Sequence, residues 1–171
     1  SIMKRFLLAL LAAATLGTMC ACGSESGTGT SETTANGGAA PDGKYKIGVC
    51  QLAQHPALDA ATEGFIEAVE AGLGKDNVEI INQNASGESN NCTTIISGFV
   101  SDGVDLILAN ATTPLQAAAS ATKTIPVLGT SITDYATALN IDDWTGTVGG
   151  NISGTSDLAP LDQQAEMIQE L

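Results

Sequence analysis

The sequence predicts an α/β fold, a parallel sheet with helices on both faces, from three observations. From Lys44 onward, short β-branched runs bounded by Gly, Asn or Thr alternate with longer stretches of helical period. The third of these runs, "VDLILANA", is apolar on both faces, as a central parallel strand is. The stretches between runs are long enough to be crossover helices, which return over the sheet with one hand.

"KYKIGVCQLA" is the first predicted strand. The helix "HPALDAATEGFIEAVEAGLG" follows, with Leu58, Phe65, Ile66, Val69 and Leu73 on one stripe and Glu63, Glu67 and Glu70 away from it. "NVEIINQNA" is the second strand, and "NNCTTIISGFVSDG" the second helix, expected to bury Ile95, Ile96, Phe99 and Val100. After "VDLILANA" comes the alanine-rich helix "TPLQAAASATKT" with Pro114 at its start, then "IPVLGTS" as a fourth strand. The pattern is βαβαβαβ. The glycine-rich "TGTVGGNISGTSD" reads as a connecting loop, and Trp144 reads as a core or loop-packing residue, with a cleft position as the alternative. "APLDQQAEMIQEL" reads as a last helix, with Pro160 near its first turn and Leu161, Ala165, Ile168 and Leu171 along one face. No closing signal follows it, so the chain is expected to stop inside a larger protein.

The opposite end is of a different kind. Met3, Lys4 and Arg5 precede the apolar run Phe6 to Ala14, which is too short to span a bilayer, and "LGTMCACGSES" then turns abruptly polar. This stretch resembles a bacterial lipoprotein signal over residues 1–22, ending at Cys22, because Ala21 supplies the small residue before the acceptor. Acyl chains on Cys22 would hold the chain on a membrane surface, each buried methylene contributing roughly 0.8 kcal/mol. Residues 23–43, rich in Gly, Ser and Thr, read as a flexible linker.

Charge narrows the function. Beyond Arg5 there is no arginine, and four lysines stand against 19 acidic residues. A nucleic-acid or anionic-lipid surface needs a basic patch, so neither is an expected partner. Cys50, in an apolar run, reads as a small buried residue, and a pairing with Cys92 cannot be assigned from sequence.

In open parallel sheets, ligands bind beyond the carboxyl ends of the strands. The residues there are Gln54, His55, Pro56, Leu58 and Asp59; Asn84 and Ser86; Ala111, Thr112 and Thr113; and Thr130, Ser131, Thr133 and Asp134. One imidazole with scattered carboxylates makes a poor metal site. Neither a phosphate-binding glycine loop nor a nucleophile elbow is present, so no cofactor and no enzymatic activity are expected. Hydroxyls and helix N-termini suit a ligand carboxylate, and an aspartate suits an ammonium group; His55 and Leu58 would add a flat or apolar wall.

The segments "KIGVCQLAQHPALDAATEGF", "NVEIINQNASGESNNCTTIISGFVSDGVDLILANATTPLQAAASATKTIPVLGTSITD" and "GGNISGTSDLAPLDQQAEMIQEL" together resemble the ABC-transporter substrate-binding protein family that includes tryptophan-binding lipoproteins. The resemblance covers residues 44–171. It implies a periplasmic-binding-protein type I-like architecture of two hinged α/β lobes that close on an amino acid, often aromatic. Residues 44–155 would form the first lobe, and 156–171 the crossover and first helix of a second lobe that is mostly absent. Carried over by position, ligand contacts would come from His55, Leu58, Asp59, Thr112, Thr113, Thr130, Ser131 and Asp134, with Ser156 and Asp157 at the crossover. An ABC permease and its ATPase are the implied partners, and the implied location is the outer side of a bacterial membrane. A sugar or nucleoside receptor of similar fold is the alternative, and a surface-anchored flavodoxin-like enzyme a further one.

Overall fold

The computed structural model describes residues 43–159 and 161–169. The expected signal segment with Cys22, the linker through residue 42, Pro160 and Leu171 lie outside the described residues.

Strand β1 (Tyr45–Gln51) leads into helix α1 (Pro56–Leu73), a short 3-10 turn (Lys75–Asn77) and β2 (Val78–Asn84). Then come α2 (Ser89–Asp102), β3 (Leu106–Asn110), α3 (Thr112–Ala121), β4 (Val127–Ile132), α4 (Tyr135–Leu139), β5 (Ile152–Ser156) and α5 (Leu161–Gln169). The five strands form one sheet in the order β2-β1-β3-β4-β5, and each neighbouring pair is parallel. The chain leaves β1 toward one edge and returns to place β3 on its other side. The β1/β3 boundary is therefore the switch point where loops diverge and leave a crevice.

The main core lies between the sheet and α2, α3 and α4. Its cluster includes Cys50, Cys92, Ile96, Phe99, Ile107, Leu115, Val127 and Ile132, each at most 1% exposed. Gly48 makes room for it: a Cβ there would stand 2.5 Å from the Phe99 ring. α2 ends at Gly103, whose left-handed conformation (φ 64°) lets its N–H reach back to the Phe99 and Val100 carbonyls. Ile96 and Phe99 are buried as expected, while Ile95 and Val100 are half-buried against the same cluster. Cys50 and Cys92, on facing elements, interact thiol to thiol. Burial, and then the neighbouring Cys92, push the Cys50 thiol up to about 12.

The α1 face is looser than its sequence stripe implies. Only Thr62 is fully buried in this helix; Leu58, Phe65, Ile66 and Val69 are half-buried and Leu73 is 44% exposed. An open apolar groove of about 320 Å³ runs beside α1, lined by Ala61, Phe65, Leu108, Leu128, Thr130 and Thr155. The stripe is correctly placed in angle. With no second helix flanking it among the described residues, it stays partly wet.

Two elements differ from the sequence expectation. "TGTVGGNISGTSD" is not simply a loop, because Ile152–Ser156 is the fifth parallel strand. It lacks a β-branched run because β4 and β5 approach closely at glycines: a Cβ on Gly154 would collide with the Gly129 backbone and the Tyr135 hydroxyl. Helix α4 is a single short turn, capped by Asp134 and closed by Asn140 in a left-handed conformation (φ 53°). Trp144 is not a core residue: it is 44% exposed, in the loop before β5, and lines a groove with Tyr135, Val148 and Ile152.

Candidate functional site

β1 ends at Gln51, which is 4% exposed, and the loop after it closes at His55, the N-cap of α1. His55 is extended (φ −157°), and its Nδ1 accepts the Ala57 N–H at 3.2 Å. Pro56 follows in the first turn, where its missing N–H costs nothing and its fixed φ suits the helix. An accepting Nδ1 carries a lone pair, so the proton of the neutral ring sits on Nε2. His55 is exposed.

Below His55 runs a buried polar chain. Asn110 ends β3 fully buried, and its Nδ2 donates to the Leu58 carbonyl at 2.8 Å and to Thr62 Oγ1 at 2.9 Å. Thr62 Oγ1 donates to Gln51 Oε1 at 2.7 Å. Gln51 Nε2 donates to the Ala53 carbonyl at 2.8 Å and to Asp59 Oδ1 at 2.6 Å. Among the described residues Asn110 Oδ1 is the one buried side-chain polar atom without a partner.

Beyond β3 the backbone is strained. Ala111 has φ 108° and ψ 169°, a region otherwise left to glycine, and its N–H is held by the Thr130 carbonyl at 3.0 Å. The conformation turns the chain sharply into α3. Pro114 has no N–H, and the first α3 amide to find a helical acceptor is Leu115, on the Ala111 carbonyl at 3.2 Å. No side chain caps the helix, and the N–H groups of Thr112 and Thr113 have no partner among the described residues. Unspent amides at the positive end of a helix favour an anion.

At the far end of the sheet the register of β4 against β5 shifts between Gly129 and Ile132, with Ser131 at φ 57°. Thr130 and Ser131 are half-buried, and Thr155 Oγ1 lies 3.4 Å from Thr130 Oγ1. Asp134 is committed locally: Oδ1 accepts the Thr137 N–H at 3.2 Å and Oδ2 the Thr137 hydroxyl at 2.6 Å. These bonds, the hydroxyl first, hold its carboxyl below the ordinary carboxylate range. Ser156 Oγ donates to the Thr133 carbonyl at 3.0 Å, and Thr133 Oγ1 donates to Asp157 Oδ1 at 2.8 Å. The end of β5 is thus tied to the turn before α4. Burial, and then the charge of Asp157, raise the Tyr135 hydroxyl.

The ten residues expected at a ligand site therefore stand along the carboxyl edge of four neighbouring strands, β1, β3, β4 and β5. His55, Leu58, Asp59, Thr112 and Thr113 flank the switch point itself. Thr130 and Ser131, expected just past the fourth strand, lie within the last residues of β4, and Asp134 follows it, while Ser156 ends β5 and Asp157 comes next. Sequence reading looked just past each strand and so missed Gln51 and Asn110, which are the last residues within theirs, and Thr62, hidden in a helical stripe. The available signal was an uncharged polar residue ending an otherwise apolar run. Among the described residues no three His, Cys, Asp or Glu side chains converge as metal ligands, and no helix is long and apolar enough to cross a membrane.

A strand order of this kind with an open polar edge occurs in several kinds of protein, and comparison narrows it. The chain is 37% identical over 172 residues to a tyrosine-binding protein of Clostridioides difficile, covering 99% of this chain and 50% of that one. A ligand-free, open substrate binding protein with adhesive properties from Clostridium difficile superposes with a TM-score of 0.68 at 41% identity, over 74% of this chain and 43% of that one. An ABC domain from Streptococcus pneumonia solved with L-Trp gives 0.66 at 38% identity, over 75% and 43%. The chain spans about half the length of the curated relative it matches. Residues 46–171 match the family described as ABC transporter substrate binding protein, and with the parallel sheet and its relatives this places the chain in that family.

Proposed function

We propose that this chain is the first lobe of a two-lobed receptor that captures an amino acid, aromatic in side chain, and hands it to an ABC permease driven by its ATPase. In this reading residues 44–155 form the lobe and 156–171 begin the crossover and the second one. The receptor works outside the cytoplasm, anchored through acyl chains on Cys22.

The observation that supports the reading is that the two chain segments flanking the β1/β3 switch point carry an anion-seeking group on one side and a cation-seeking group on the other. The free amides of Thr112 and Thr113, with their hydroxyls, take the ligand carboxylate. Asp59, whose Oδ2 has no partner among the described residues, takes the ammonium. This holds a zwitterion without arginine, which this body lacks. His55 and Leu58 supply the wall for the side chain, and Thr130, Ser131 and Asp134 border it toward β4. The tyrosine-binding relative and the L-Trp complex support an aromatic amino acid as the ligand class.

Binding would need no chemistry. Contacts from both lobes exist together only when the lobes close, so the ligand shifts that equilibrium by its differential affinity. Ser156 and Asp157, tied to Thr133, sit where such a hinge begins.

The test is a thermal-shift panel on the two-lobed protein with single amino acids, sugars and nucleosides. A ligand at ~100 times its Kd adds roughly 2.7 kcal/mol to the folded state. Selective stabilisation by tyrosine, tryptophan or phenylalanine is expected. A response to a sugar or nucleoside alone overturns the substrate class and leaves the fold standing.

A further inference from the structure

We propose that Thr62, with Gln51 and Asn110, is a positioning residue of the binding site: the three side chains orient the Asp59 carboxylate toward the ligand's ammonium group. This rests on the amino-acid reading above.

The argument is one of hydrogen-bond direction. The Leu58 carbonyl can only accept, so Asn110 must turn its Nδ2 toward it, and the second Nδ2 hydrogen then goes to Thr62 Oγ1. A threonine hydroxyl has one hydrogen. At the other end the Ala53 carbonyl and Asp59 Oδ1 can only accept, so Gln51 faces them with Nε2 and turns Oε1 to Thr62, which gives it that hydrogen. The Thr62 hydroxyl thus holds the Gln51 amide by its oxygen while Nε2 bridges the Ala53 carbonyl and Asp59 Oδ1. Every member of the chain is thus polarised in one sense, and the last donor ends on the carboxylate. An ionised Asp59 with Oδ1 held at 2.6 Å keeps Oδ2 aimed at one place, as recognition of a single ammonium requires.

The arrangement is not one that stability alone would choose. Thr62 is 3% exposed and Asn110 is fully buried, with Oδ1 unsatisfied. A buried orphan acceptor is costly, and apolar residues of similar shape would avoid that cost. The network also joins β1, α1 and β3, the elements that form the switch point.

The test compares Thr62→Val and Thr62→Ser in the two-lobed protein. Valine keeps the shape and removes the hydroxyl, leaving Gln51 Oε1 and one Asn110 N–H without their partner and the Gln51 amide less firmly held against Asp59. Calorimetric affinities are measured for L-tyrosine and L-tryptophan, and for 3-(4-hydroxyphenyl)propionic and indole-3-propionic acids, which lack only the amine. Thr62→Val is expected to cut the preference for amino acid over deaminated acid at least tenfold, with Thr62→Ser returning most of it. In an Asp59→Asn background, Thr62→Val should have little further effect. Equal weakening of both ligand types would show that the network merely holds α1 and would overturn the proposal, as would an unchanged preference. Failure of the unaltered protein to bind any amino acid overturns the receptor reading itself, a different result from either.

Discussion

His55 and Ala57 are joined across the start of α1, the imidazole Nδ1 accepting the Ala57 amide at 3.2 Å. The only histidine of the chain is therefore a helix cap whatever else it does. Truncating it removes both functions at once: His55→Ala should lower stability by about 1 kcal/mol, the usual cost of a lost N-cap, and weaken ligand binding as well. His55→Asn restores a capping oxygen without a ring. It should recover the melting temperature and leave the affinity low. Recovery of both by asparagine would reduce His55 to a cap.

Ala111 is held at φ 108°, ψ 169°, where a Cβ is strained by about 1–3 kcal/mol. Ala111→Gly removes that strain and gives back about 0.4–1 kcal/mol through the greater freedom of the unfolded chain. The balance favours glycine, so this variant should denature at higher urea than the parent. Ala111→Val should denature at lower urea, because β-branching is least tolerated at positive φ. If the glycine variant is the less stable, the turn is not strained.

The sheet was legible where residues obey one period and illegible where backbone approach decides. "VDLILANA" and the stripe of Ile96 and Phe99 announce a central strand and a packed helix, and the structure has both. Ile152–Ser156 gives no such signal. Its place in the sheet comes from Gly154 lying against Gly129, a contact between distant glycines that no local period encodes. The carboxyl-edge residues could be found because they follow recognisable strands. The Gln51, Thr62 and Asn110 chain could not, since it depends on α1 crossing the β1/β3 boundary at one height.

Gly154 offers a direct check on that fifth strand. A methyl group there meets the Gly129 backbone and the Tyr135 hydroxyl, and backbone cannot move aside as a flexible side chain can. Gly154→Ala should cost at least about 1–3 kcal/mol, the range for overpacking. Tyr135→Phe removes only the 2.9 Å bond to the Thr155 carbonyl and relieves part of the crowding. Combined with Gly154→Ala it should cost less than the two changes summed. Strict additivity would mean that the β4/β5 contact is not the source of the loss.

The Cys50 thiol, raised from 9.0 to about 12, makes stability depend on alkaline pH. Its folded-state value lies above the unfolded one, so the unfolded chain releases this proton first as pH climbs. The contribution is whole below pH 9 and drains away between 9 and about 12, at roughly 1.4 kcal/mol per pH unit. Urea unfolding of the parent and of Cys50→Ala through this window should show the parent losing stability faster. Parallel curves would mean that the thiol is not shielded. The same burial predicts that iodoacetamide at neutral pH labels Cys50 only after unfolding.

Asp134 runs in the opposite sense. Its carboxyl is held below the ordinary range by the hydroxyl and then the N–H of Thr137, so the folded protein releases this proton more readily than the unfolded chain. The sign is that of a depressed acid: the cap on α4 is intact above the unfolded value near 3.8 and is lost as pH falls through the lower folded value. Asp134→Ala should lower the melting temperature at neutral pH and leave it unchanged once the parent's carboxyl is protonated. Asp134→Ser keeps an acceptor for the Thr137 N–H and should recover most of the neutral-pH loss. Because both oxygens of Asp134 already serve Thr137 while Asp59 Oδ2 serves nothing among the described residues, the serine variant should bind an amino acid nearly as well as the parent, whereas Asp59→Asn should not. A large loss of affinity in Asp134→Ser with normal stability would move the ammonium contact from α1 to α4, and with it the position of the ligand across the sheet.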